Sequence, residues 1–334
     1  MENQLDFVGI GDTVVDAFIQ LRQDQAHTNC RVDTNACEIC MDFGTKIPYD
    51  SVEVVYAVGN SANACVSASR LGLKSALITN LGKDDDGEKC LESLKKDGVG
   101  TQYIKQYEGI KTNYHYVLRY DSERTILIKH EDFPYTLPLD TPGPRWLYLS
   151  SLNEQSLPYH HEIATYLAAH PETKLAFQPG TFQIKLGAET LKDLYAHTEV
   201  FFCNVEEARL ILNTEEPEPK KLAKMMTTLG PKIIVITDGP KGAYVYDGSD
   251  AWYMPVYPDP QAPVDRTGAG DSFASTFISA LALGKTPSEA ITWAPINSMS
   301  VVQKIGAQAG LLSREALEKF LAEAPADYKA VKLD

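Results

Sequence analysis

Val264-Asp265-Arg266-Thr267-Gly268-Ala269-Gly270-Asp271-Ser272-Phe273 sets two glycines and a carboxylate at the point where a loop turns into a helix. The apolar pattern continues through Phe273, Phe277, Ile278 and Leu281, which predicts a helix over 270–283 with the glycines on its first turn. Backbone N–H groups there lack intrahelical acceptors, glycine lets an anion approach closely, and the helix dipole favours negative charge. Gly268, Ala269 and Gly270 are therefore candidates to donate N–H groups to a phosphoryl group under transfer. Asp271 would repel such a ligand unless it takes a proton from a hydroxyl that attacks phosphorus, which makes it the candidate general base. The plain alternatives are a tight turn for the glycines and a helix-capping carboxylate for Asp271.

Elsewhere, strand and helix patterns alternate as in a sheet covered on both faces. Strands are expected at Phe7–Ile10, Ser75–Thr79, Trp146–Leu149, Lys174–Phe177, Val200–Cys203 and Lys232–Ile236. Helices are expected at Ala62–Leu71, Gly87–Lys96, Tyr159–Ala168, Glu206–Leu212 and 287–304, and Thr214–Lys220 reads as an acidic, proline-bearing loop. Segments 13–20 with 36–57, and 103–107 with 113–129, break the alternation with short β stretches and no helix between them. Asn204 and Glu207, spaced i, i+3 just past a strand, share one helix face and suit Mg²⁺ bound through water and phosphate. The same pair also reads as an N-cap and its capping-box partner. Thr237, Gly239 and Gly242 permit close approach of a ligand, or simply form a hairpin turn.

With 45 acidic against 31 basic residues the net charge is −14, which argues against nucleic-acid or anionic-membrane surfaces as partners. A phosphate ligand must then be held by local amides, a metal and a few cations. The 334 residues, 44% hydrophobic, suffice for a large core. The first residues carry no basic n-region and no apolar run nears the ~20 residues of a membrane span, so a cytoplasmic protein is expected. Six cysteines between residues 30 and 203 lack the density of a disulfide framework and read as reduced. His27, Cys30, Cys37 and Cys40 have the residue types of a zinc site, but no second Cys-x-x-Cys follows, which favours small residues on strands.

Asp-x-Thr-Gly-Ala-Gly-Asp at 265–271 is the signature of the ribokinase-like (PfkB) family of sugar and nucleoside kinases. The chain resembles that family in five further segments, all in family order: Gly11–Asp16, Gly59–Ala64, Gly82–Gly87, Asn204–Glu207 and Thr237–Gly242. Together the segments span about residues 7 to 320, and the departures are Val58 for the first glycine of the substrate loop, Asn60 in the same loop, and Arg266 for a small residue.

The resemblance implies an α/β fold: a ribokinase-like three-layer α/β/α sandwich with a small β-sheet lid. It implies one kinase domain over 1–334, with lid segments at about 13–57 and 103–130, and a homodimer formed through the lid. Asp16, Gly59, Asn60 and Asn63 would bind the substrate, Asp16 through sugar hydroxyls. Asn204, Thr237, Gly239, Gly242 and Arg266 would bind ATP, with Asn204 and Glu207 organising Mg²⁺. The Lys304–Gln308 loop, through Gly306 and with Asp265 and Thr267, would hold a monovalent cation such as K⁺. The implied activity is ATP- and Mg²⁺-dependent phosphorylation of a hydroxymethyl group on a sugar or sugar-like substrate, with a nucleoside as the alternative acceptor. A non-catalytic sugar or nucleotide sensor on the same fold is the reading from another class. A dinucleotide-binding oxidoreductase ranks below both, since Gly9-Ile10-Gly11-Asp12-Thr13-Val14 is not G-x-G-x-x-G.

Overall fold

Parallel strands covered on both faces need apolar side chains at every position, and Phe7–Ile10 and Trp146–Leu149 are buried throughout. They sit at the centre of the main sheet in a computed structural model that describes residues 4–31, 37–121, 123–139 and 142–334. The strands are β1 (Phe7–Ile10), β2 (Val14–Leu21), β3 (Ala26–Cys30), β4 (Cys37–Met41), β5 (Tyr49–Val58), β6 (Ser75–Gly82), β7 (Ile104–Tyr107) and β8 (Asn113–Tyr120). They continue with β9 (Glu123–Leu127), β10 (Trp146–Leu149), β11 (Lys174–Phe177), β12 (Thr198–Asn204), β13 (Ile233–Thr237), β14 (Ala243–Tyr246), β15 (Ala251–Met254) and β16 (Val331–Leu333). The helices are α1 (Asn60–Arg70), α2 (Asp85–Lys96), α3 (Leu157–Ala169), α4 (Thr181–Leu186), α5 (Lys192–Ala196), α6 (Val205–Leu212), α7 (Pro219–Thr227), α8 (Ala269–Ala282), α9 (Pro287–Val301) and α10 (Arg314–Ala322).

Ten strands form one sheet in the order β16-β15-β14-β13-β12-β11-β10-β1-β6-β7, parallel from β13 to β7 and antiparallel beyond β13. Alternation along each strand sorts side chains into two cores. Phe7, Leu77 and Tyr148 pack with Phe277 and Ile291 of α8 and α9, whereas Val8, Leu147 and Leu149 pack with Ile163, Leu194 and Leu222 of α3, α5 and α7. The result is the expected three-layer sandwich. Local chemistry fixes the helix ends: Asp84 accepts from the Gly87 N–H at 2.9 Å to start α2, and Thr286 and Glu289 form a capping box ahead of Pro287 at α9. The stretch read as a loop to Lys220 already holds the start of α7. Pro219 takes a first-turn position, where a missing N–H costs nothing, and Leu222, Ala223 and Met226 are buried. Among the described residues no helix is long and apolar enough to cross a membrane.

A second sheet, in the order β5-β2-β8-β9, forms the lid. It is built from 14–21, 49–58, 113–120 and 123–127, so the expected lid segment beginning at 103 needs correction. Residues Ile104–Tyr107 pair in parallel with β6 and complete the edge of the main sheet instead. Between β2 and β5 the chain makes a separate ribbon, β3 against β4.

The reduced state expected for all six cysteines is also corrected, because antiparallel pairing sets Cys30 opposite Cys37 and the two form a disulfide. That pairing leaves Cys40, Cys65, Cys90 and Cys203 free. Among the described residues no group of three or more His, Cys, Asp or Glu side chains is placed to hold a metal. Alkylation of the native chain without reductant, followed by peptide mass analysis, is expected to leave Cys30 and Cys37 unmodified and joined. Labelling of both would contradict the bridge.

Candidate active site

Five neighbouring parallel strands deliver a polar residue at or just past their carboxyl ends to one cavity of about 600 Å³: Asp12 after β1, Ser151 after β10, Gln178 after β11, Asn204 on β12 and Thr237 on β13. The chain leaves β1 toward β6 on one side while β10 lies on the other, and open α/β sheets carry ligands at such a switch in strand order. The N-terminus of α8 forms one wall. The lid contributes Val14, Asp16, His115, Arg124 and Ile126.

At α8, Gly268 is the N-cap with φ 80°, and its successors Ala269, Gly270 and Asp271 fill the first turn. The N–H groups of Gly268, Gly270 and Asp271 meet no acceptor among the described residues, so a cluster of donors faces the cavity, whereas the Ala269 N–H expected among them is taken by the Arg266 carbonyl at 3.4 Å. Asp271 is itself buried, and both its oxygens are held: Asn60 Nδ2 donates to Oδ1 and Asn63 Nδ2 to Oδ2, each at 2.8 Å. Burial pushes this carboxyl above the usual range, and the two amide hydrogen bonds oppose the shift. Gln308 extends the chain of contacts, its Nε2 donating to Asn63 Oδ1 at 2.9 Å and to the Ala57 carbonyl at 2.7 Å. Tyr148 donates its hydroxyl to Gln178, whose amide nitrogen lies 3.5 Å from where a Cβ on Gly270 would sit.

On β12 and α6 the capping box is formed: Asn204 Oδ1 accepts from the Glu207 N–H and Glu207 Oε2 from the Asn204 N–H, both at 2.8 Å. Glu207 is raised by burial and by Glu206, against the hydrogen bond from Asn204, and both side chains still line the cavity. A second cavity of about 310 Å³ opens from the first, sharing Thr237, Arg266, Ala269, Gly270 and Phe273. Its further walls include Ala243, Val256, Tyr257, Met299 and Val302, so it suits a flat apolar group. Gly239 and Gly242 line this second cavity on the hairpin joining β13 to β14, so the turn and the wall are the same residues. Asp265 staples two loops, accepting from the Thr267 N–H at 2.9 Å and its hydroxyl at 2.7 Å, and from the Gly306 N–H at 2.9 Å.

A family model described as "pfkB family carbohydrate kinase" matches residues 49–314. The chain belongs to this family. The ribokinase of Bacillus subtilis is 26% identical over 268 residues, covering 79% of this chain and 87% of its own. The cytidine kinase of Thermococcus kodakarensis is 32% identical over 279 residues, covering 80% and 95%. The solved structure of Arabidopsis thaliana ribokinase complexed with ribose and ATP shares the fold, with a TM-score of 0.79 at 18% identity over 95% of this chain and 99% of that one.

In this pfkB kinase the residues expected around the acceptor divide by role. Asp16 is buried on β2 with Oδ1 3.4 Å from His115 Nδ1. Asn60 and Asn63 line the cavity, but their amides are spent on Asp271. Gly59, with φ 121°, brings the loop so close that a Cβ would stand 2.4 Å from the Asp12 carbonyl oxygen. Motif reading missed a chain of polar contacts on the lid side. His115 Nε2 lies 3.2 Å from His130 Nε2, His130 Nδ1 lies 3.3 Å from Asp12 Oδ2, and Tyr135 donates to Asp12 Oδ1 at 2.7 Å. Asp12 and Gln308 stand inside quoted motifs, so their presence was visible and their roles were not. Gln308→Leu would strand the buried Asn63 and Ala57 acceptors, at a cost of about 1–3 kcal/mol. Urea unfolding should register that loss, and kcat should fall with the KM for ATP little changed.

Proposed function

We propose that the chain transfers the γ-phosphoryl group of Mg-ATP to a hydroxymethyl group of a sugar or sugar-like acceptor, with Asp271 as general base. The observation that carries this reading is the pairing of a buried, raised carboxyl with free N–H donors on the same helix turn. Asp271 takes the acceptor's proton as its oxygen bonds to phosphorus and the bond to the ADP oxygen breaks, so the products are a phosphate monoester, ADP and one proton. The N–H groups of Gly268 and Gly270 face the charge gathering on the transferred group. Asn60 and Asn63 keep both carboxylate oxygens aimed while the group is empty of its proton.

Asn204 and Glu207 would hold Mg²⁺ through water, since among the described residues Glu207 Oε1 has no hydrogen-bond partner while Oε2 is used in the cap. The metal, when bound, would offset phosphate charge that this acidic chain leaves uncompensated. Arg266 lines both cavities and would meet the nucleotide's phosphates, with adenine in the apolar second cavity. Asp265, Thr267 and Gly306 form the loop proposed for K⁺, although Asp265 already accepts three hydrogen bonds there. A nucleoside acceptor is the second reading, favoured by the apolar Val14, Ile126 and Phe182, which line the same cavity as Asp16.

ADP release from Mg-ATP against sugars, sugar acids, sugar phosphates and nucleosides tests the proposal, with ³¹P NMR on the product. Acceptor-dependent ADP and a new phosphate monoester are expected; ADP formed at the same rate with and without every acceptor would count against it. The lid also exposes Tyr49, Val52, Val54, Tyr116 and Leu127, which suits a second copy of the chain. Light scattering should then give the mass of two chains, falling to one in Val52→Glu/Leu127→Glu.

A further inference from the structure

Two carboxylates where the lid meets the main sheet each keep one buried oxygen without a hydrogen bond. Asp12 stands just past β1 and is 9% exposed, and Asp16 stands on β2 of the lid and is 7% exposed. Asp12 Oδ2 and Asp16 Oδ1 are shielded from solvent and accept no hydrogen bond from any described residue, a costly state for a charged group. Within ion-pair distance of them lie two histidine rings, His130 Nδ1 at 3.3 Å from Asp12 Oδ2 and His115 Nδ1 at 3.4 Å from Asp16 Oδ1. All four side chains line the main cavity.

The rings also meet each other, with His115 Nε2 3.2 Å from His130 Nε2 and their planes tilted by 45°. Four ring nitrogens thus have fixed neighbours, and those neighbours decide where protons go. A bare Nδ1 would point its lone pair at a buried carboxylate, so each Nδ1 carries a proton. Two neutral rings in that tautomer would set lone pair against lone pair at Nε2, where a hydrogen bond needs one proton more. The arrangement is satisfied by three protons over four nitrogens, which puts one positive charge between two negative ones. Tyr135 closes the far end, donating to Asp12 Oδ1 at 2.7 Å and stacking on Tyr159 of α3. Burial, and then the charge of Asp12, push the Tyr135 hydroxyl well above its usual range, which keeps it a donor.

We propose that His115 and His130 share one proton and act as positioning residues, tying Asp16 on the lid to Asp12 and Tyr135 at the floor of the cavity. The Asp16 carboxylate makes no other hydrogen bond or ion pair with a described residue, so His115 is what fixes it. His115 is held in turn by the β2–β8 register, which sets it opposite Asp16, and by His130. The consequence for catalysis rests on the kinase reading: Asp16 meets the acceptor's hydroxyls, so the pair governs acceptor binding and not ATP binding.

The proton count is read first, by ¹⁵N NMR of the histidine-labelled chain at neutral pH, before and after dialysis against EDTA. Both Nδ1 atoms are expected to be protonated and one proton to be divided between the two Nε2 atoms. His115→Asn and His130→Gln should each change the signals of the ring that remains. Two or four ring protons in total, or signals that EDTA moves because a metal ion sits between the rings, overturn the inference. Steady-state kinetics with ribose, fructose and cytidine then test the positioning. His115→Leu and His130→Leu should each raise the acceptor's KM at least about tenfold, with the KM for ATP unchanged. His115→Asn, whose amide donates to Asp16 as Nδ1 does, should recover most of that loss. An acceptor KM in His130→Leu equal to the parent's, or His115→Asn as impaired as His115→Leu, removes the pair from the positioning role. If the parent phosphorylates none of the three compounds, the kinase reading fails while the proton count still decides the pair.

Discussion

Asp271→Asn is expected to lower kcat by about 10²–10⁴-fold and to leave the thermal midpoint close to the parent's. The fold should survive because the new amide has partners. Asn63 is fixed by Gln308 and keeps donating to one atom, which must then be the oxygen of residue 271. The new NH₂ faces Asn60, whose amide can flip to present its own oxygen. What the variant loses is the acceptor for a proton, so the KM for ATP should change little while turnover falls. Equal kcat in parent and variant would remove Asp271 from the base role.

The raised carboxyl sets the sign of two pH effects. Asp271 works as a base only when ionised, so kcat should fall on the acid side with its inflection above the ordinary carboxylate value of about 3.9. Stability moves the other way for this group. A folded-state value above the unfolded one contributes stability in full below the unfolded value, and that contribution is lost as pH rises through the folded value. Activity thus requires the form of Asp271 that burial disfavours. A pH–kcat profile with an acid limb at or below 3.9 would contradict the assignment.

How much of this could be read beforehand follows from which interactions are local. The α8 turn was legible because loop, glycine pair, carboxylate and apolar period lie within twenty residues, and the structure put the helix at Ala269–Ala282. The capping box of Asn204 and Glu207 is an i, i+3 device and was visible for the same reason. The Asp16–His115 contact was not, because it depends on β2 and β8 pairing in parallel with those two residues in register. His130 lies beyond β9 in a segment without secondary structure, and nothing near it in sequence signals Asp12. Ile104–Tyr107 looked like lid because a short edge strand has the same composition wherever it pairs; only its partner β6 decides. The Cys30–Cys37 bridge likewise needs the β3–β4 register, which the local sequence does not fix.

Gly268→Ala is expected to cost stability and to abolish most turnover together, and the two losses have separable causes. With φ at 80° an L-residue pays about 1–2 kcal/mol, and the added Cβ would stand 2.3 Å from the Ala307 Cβ and 2.6 Å from its Cα. Overpacking of that kind adds about 1–3 kcal/mol unless the neighbour moves. The neighbour here is the Gly306–Gln308 loop, which is tied to Asp265 through the Gly306 N–H and to Asn63 through Gln308. Pushing it outward therefore disturbs the staple behind the N–H donors and the aim of Asp271 at once. Adding Ala307→Gly removes the closest contact but not the backbone strain, so the double variant should recover part of the stability lost in Gly268→Ala. Urea midpoints and kcat for the single and double variants form the cycle. If Gly268→Ala matched the parent in both, the close approach at Ala307 would not be what holds this turn in shape.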